Sequence, residues 1–169
     1  METKRKHIRA WIIFFMIMLF LSGLTAIPLE SELKFLSRCL PYNSPVGIWI
    51  DRVLTAIIDT NNNYPYLAYG YDWLAFAHFI LAILFIGPLK NPVKNIWVIE
   101  FGMIACLLVL PYAFIAGHFR GIPIMWSVID CSFGLIGLIP LSICYAKIKA
   151  LEQMETRVHQ DRYAWKMGL

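Results

Sequence analysis

The sequence predicts an all-α integral membrane protein: a four-transmembrane-helix bundle with a short helical extracytoplasmic cap. Three observations carry that expectation. Hydrophobic residues make up 59% of the 169 and charged residues only 15%, against ~25% charged in an ordinary soluble domain. Four apolar stretches approach or exceed the roughly 18–20 residues that a bilayer-spanning helix needs. Eleven of the 15 lysines and arginines fall on one side of those stretches when the chain is threaded four times across a bilayer. The length allows a single membrane domain, 1–169.

The first span covers about 10–27 and follows the basic start METKRKHIR. A signal peptide begins with the same charge pattern. Here the apolar run is of full transmembrane length, and Pro28, Leu29 and Glu30 do not form a small-x-small cleavage site, so the helix is read as retained.

The outer loop, 28–70, is the longest polar interval. A short helix is expected over 29–40, with Ser31 as its cap. After the turn signal Pro41, Asn43 and Pro45 comes an amphipathic helix, 46–59. Its apolar stripe is Trp49, Ile50, Val53, Leu54, Ile57 and Ile58, with Asp51, Arg52, Thr55 and Asp59 opposite. It is too short and too charged to span. Asn61, Asn62 and Asn63 are expected to stop it. Tyr64, Tyr66, Tyr69, Tyr71 and Trp73 then suit the headgroup level, where aromatic belts form.

Spans two to four are read at about 71–88, 96–117 and 123–145, joined by the turns PLKNPVKN and GHFRGIP. The tail, 146–169, keeps helical character and is expected to lie along the headgroups on the cytoplasmic side. The eleven cations are Lys4, Arg5, Lys6, Arg9, Lys90, Lys94, Lys147, Lys149, Arg157, Arg162 and Lys166. The positive-inside rule therefore places both termini in the cytoplasm of a cell inner membrane.

Several function classes lack any signal. There is no zinc-protease, nucleophile-elbow, P-loop or dinucleotide motif. No basic face with interleaved aromatics suggests nucleic acid. The four cysteines form no CxxC pair and read as packing residues. No metal site and no cofactor are expected. A haem held by His78 and His118 would need ligands whose depths differ by ~10 Å.

Chemistry is expected instead from polar residues near the outer side. Seven residues past Tyr71 and Pro123 respectively, His78 and Asp130 each lie on the order of 10 Å below the outer helix ends. Asp72, Tyr112, His118 and Arg120 fall at the same side. His78 shares a face with Tyr71, Ala75 and Ala82, and Asp130 with Trp126, Gly134 and Gly137; small neighbours allow close helix approach. Glu100 is separate, roughly 6 Å from the inner end of the third span, where Lys94 or Lys147 would pair with it.

The leading functional expectation is a binding module for a lipid-like ligand or a membrane partner. Asp130, His78, Arg120 and Asp72 would supply polar recognition, with Tyr112 and Trp126 as apolar walls. An alternative is a small membrane enzyme acting on a lipid or isoprenoid, with His78 and Asp130 as an acid–base pair. A second alternative is a structural or assembly subunit of a membrane complex, in which the same groups only tie helices together. Membrane lipids are the partners common to all three readings.

Overall fold

The computed structural model describes residues 2–167, and among these there is no strand. In order, the elements are α1 (Glu2–Ala26), α2 (Leu29–Cys39), α3 (Pro45–Asn63), a 3-10 turn (Pro65–Leu67), α4 (Tyr69–Leu84), α5 (Ile86–Lys90), α6 (Ile96–Arg120) and α7 (Ile124–Met167). Four helical stretches are long and apolar enough to cross a membrane: Glu2–Ala26, Pro65–Lys90, Ile96–Arg120 and Ile124–Gln160. The chain divides into two compact units. One holds the chain up to Met16 and from Leu84 onward; the other is Ile17–Ile83.

The first unit is built on the antiparallel hairpin of α6 and α7. Its turn needs Gly121, whose φ of 65° lies in the left-handed region that favours glycine. There the Ile122 amide donates to the Gly117 carbonyl at 2.9 Å, closing the end of α6. Along the seam, Gly134 lies against the carbonyl of Cys106, and Ser127 (3% exposed) faces Gly117. Farther along α7, Cys144, Ile148 and Leu151 form a fully buried stripe at helical spacing. Ile8 and Ile12 at the start of α1 are equally buried, and the Cys144 thiol donates to the Ile8 carbonyl at 3.8 Å. Beyond this stripe the Arg5 guanidinium bonds the Glu155 carboxylate at 2.5 Å.

The second unit packs the later turns of α1 against α4. Gly23 permits this: a methyl there would stand 2.9 Å from both the Ala75 carbonyl oxygen and the His78 Cβ. The small residues Ala75 and Ala82 on α4 are buried, as their shared face suggested. On the polar side, α2 and α3 form a hairpin in which the Ser37 hydroxyl donates to the Asp51 carboxylate at 2.5 Å.

Several expectations about boundaries change. Helix α2 starts at Leu29, with Pro28 rather than Ser31 at its cap and no side-chain capping bond. The three asparagines do not stop α3, which runs through Asn63. The stop comes from Pro65, which disfavours helical backbone in the residue before it, Tyr64. The second span breaks at Phe85 between α4 and α5, because Pro88 has no N–H to give the Leu84 carbonyl. The tail does not form a separate helix: α7 continues without a break past Tyr145 to Met167, while 168–169 lie outside the described residues. At 1.5 Å per residue its 44 residues reach about 66 Å, more than twice a hydrocarbon core of about 30 Å.

Candidate functional site

Asp130 sits on α7 about 60° to one side of the seam with α6, on the face it shares with Trp126 and Gly137. Its neighbours on the seam are engaged: the buried Cys131 thiol donates to the Leu110 carbonyl at 3.9 Å. Next to it, off the seam, the Ser132 hydroxyl donates to the Ile129 carbonyl three residues back at 2.6 Å. Asp130 is itself partly buried, yet among the described residues of its unit its carboxylate has no hydrogen-bond or ion-pair partner. Arg120 does not supply one. It ends α6 on the exposed side of the Gly121 turn, whereas Asp130 lies nearly two turns into α7.

The remaining expected residues of this unit are dispersed. Tyr112 is 73% exposed, off the seam, so it walls no enclosure within the hairpin. His118 is exposed as well, and Trp126 is partly buried beside Asp130 on the same face. Glu100 forms no ion pair with Lys94 or Lys147 among the described residues. Lys94 lies in the turn before α6, where its backbone amide bonds the Asn91 side chain at 3.1 Å, out of helical register with Glu100. The cation within Coulombic reach of Glu100 is Lys149 on α7, whose own bond goes to Glu152 at 3.1 Å.

His78 belongs to the second unit, so its surroundings are those of α1 and α4. Its Nδ1 donates to the Leu74 carbonyl at 2.8 Å, one turn back on α4. A carbonyl only accepts, so the shared proton sits on Nδ1 and Nε2 takes no part in this bond. Asp72 lies on the exposed side of α4, beside Tyr69, Trp73 and Phe76 around an open groove of about 220 Å³.

The same unit holds a polar chain that sequence reasoning missed. Lys34 donates to Glu30 at 2.5 Å, Asn61 donates to the other Glu30 oxygen at 2.6 Å, and the Tyr71 hydroxyl donates to the Asn61 amide oxygen at 3.2 Å. The chain ties α2, α3 and α4 together and leaves each member partnered. Two charge-assisted bonds, from Lys34 first and then Asn61, with the Lys34 charge adding to them, hold the Glu30 carboxyl below its usual value of 4.5. A signal was present: Asn61 continues the apolar stripe of Ile50, Leu54 and Ile57 at helical spacing, and a polar residue on such a stripe needs a partner.

No protein-family model matches this chain, and no curated protein or solved structure matches it either. The chemistry of the two units stands on its own. Among the described residues no three His, Cys, Asp or Glu side chains gather as a metal site. Groups with unused capacity include the Asp130 carboxylate on α7 in one unit and, in the other, the Asp72 carboxylate and the His78 Nε2 on α4.

Proposed function

We propose that this chain is a multi-pass protein of the cell inner membrane, with both termini cytoplasmic, that binds a lipid-like ligand through the hairpin of α6 and α7 with Asp130 as its polar anchor. One observation carries the binding reading. Asp130 is partly buried and unpartnered within its unit, while Glu30, Asn61, Tyr71, Ser37 and Asp51 in the other unit all have partners. An acid at the centre of a spanning helix costs about 2.5–3.5 kcal/mol on insertion scales, and Asp130, ~10 Å in from the helix end, bears part of that cost. A structural pair with Arg120 would offset that cost, and no such pair forms. A ligand hydroxyl or ammonium supplies what the hairpin lacks.

The membrane setting is supported by the apolar side chains that the four long helices turn outward. Phe14, Ile17, Ile83, Leu108, Phe133 and Ile139 are each between 46% and 68% exposed, and water-soluble monomers rarely present contiguous apolar surface of more than a few hundred Å². The orientation is supported by the uneven distribution of lysine and arginine.

A second reading is favoured by His78. Its Nε2 takes no part in the bond to Leu74, and imidazole is a common general acid or base, so a small enzyme acting on a lipid or isoprenoid is the alternative. Asp130→Asn separates binding from folding. The variant is expected in the membrane fraction at near wild-type level with its co-purifying ligand lost. Loss of the protein itself from that fraction would contradict the binding role and favour a structural subunit.

A further inference from the structure

Tyr69, Asp72, Trp73 and Phe76 recur at i, i+3, i+4 and i+7 and make one exposed stripe on α4. Tyr69 and Trp73 pack edge to face with ring centroids 5.8 Å apart, and Trp73 and Phe76 do so at 5.5 Å. The groove along this stripe, about 220 Å³, has an almost wholly apolar wall made by the three rings, with Asp72 among its lining residues. Among the described residues the Asp72 carboxylate has no hydrogen-bond or ion-pair partner. A negative end in the first turn suits the helix dipole, which accounts for an acid there but not for three rings beside it.

We propose that this groove seats the primary ammonium of a zwitterionic phospholipid headgroup. Rings packed edge to face leave ring faces open, and those faces attract a cation. The carboxylate accepts hydrogen bonds from an N–H that a quaternary ammonium lacks, so the groove selects a primary amine. It repels the phosphate of an anionic lipid that brings no ammonium. Its depth fits: the stripe begins at the end of the Pro65–Lys90 span where Tyr64, Tyr66 and Tyr69 cluster, the level at which aromatic belts meet headgroups. The inference rests on the membrane reading above but not on Asp130.

The experiment is native mass spectrometry of the full chain, released from nanodiscs that hold equal amounts of phosphatidylethanolamine, phosphatidylcholine and phosphatidylglycerol. Wild type is expected to retain phosphatidylethanolamine preferentially. Asp72→Asn should lower that preference about threefold or more, and Trp73→Leu by a similar factor. Asp59→Asn, at an exposed acid of α3, should leave it unchanged. Equal retention of the ethanolamine and choline lipids by wild type, or no change in Asp72→Asn, would overturn the inference. So would full displacement by millimolar soluble ethanolamine, which would make the site one for a free amine. If Asp72→Asn fails to fold, Trp73→Leu and Tyr69→Leu decide by the same ratio. A wild type that retains no lipid and does not fractionate with membranes overturns the membrane reading itself, which is a different failure.

Discussion

Gly134 on α7 lies so close to α6 that a methyl group in its place would stand 2.6 Å from the Cys106 carbonyl oxygen. Helices in lipid gain nothing from hydrophobic exclusion of one another and associate through close packing, so this contact sets the hairpin that carries Asp130. Gly134→Ala is expected to destabilise the protein by about 1–3 kcal/mol, the usual cost of overpacking. Gly134→Val is expected to cost more. Gly70→Ala meets nothing within 4 Å and should leave stability unchanged or slightly raised. Thermal unfolding in mild detergent compares the three.

The polar chain from Lys34 to Tyr71 gives a pH dependence with a definite sign. The folded state holds the Glu30 carboxyl below its ordinary value of 4.5. Its stabilisation is therefore complete above that value and is lost as pH falls through the lower, folded value. Protection of the α2 and α3 amides against exchange, corrected for the intrinsic pH dependence of exchange, should fall only below pH 4.5. Asn61→Ala should shrink that acid-induced loss and raise the pH at which it is complete, because one of the bonds to the ionised carboxylate is gone. A loss of unchanged size and range in Asn61→Ala would contradict the assignment.

Topology is open to a direct label. Cys39, at the end of α2, is exposed, whereas Cys131 and Cys144 are buried. In spheroplasts a membrane-impermeant maleimide is expected to label the protein, and Cys39→Ser should abolish most of that signal. Sealed inside-out vesicles should show the reverse protection. Labelling only in the inside-out preparation would invert the orientation.

The four long apolar helices were legible because lipid compatibility is written in composition, and composition survives any error in packing. Ends were harder to read. Three asparagines look like a stop, but Asn61 finds Glu30 and α3 continues to the residues before Pro65. Lys147 and Lys149 mark the end of the apolar run, yet Cys144, Ile148 and Leu151 carry the buried stripe of α7 straight through them. Among the site residues, Asp130's helix face followed from its spacing to Trp126 and Gly137. Its lack of a partner did not, because Arg120 lies nearby in sequence and only the Gly121 turn separates them. Side-chain partners across elements, such as Glu30 with Asn61, depend on hairpin register, which periodicity does not encode.

The account depends most on Asp130 serving a ligand rather than the fold. Native mass spectrometry of gently extracted protein, wild type beside Asp130→Asn at matched expression, tests this directly. The expected result is a lipid-like mass retained on wild type and lost from the variant, with both showing the same thermal unfolding. A variant that keeps the bound mass, or one that loses it only because it no longer folds, would contradict the central claim.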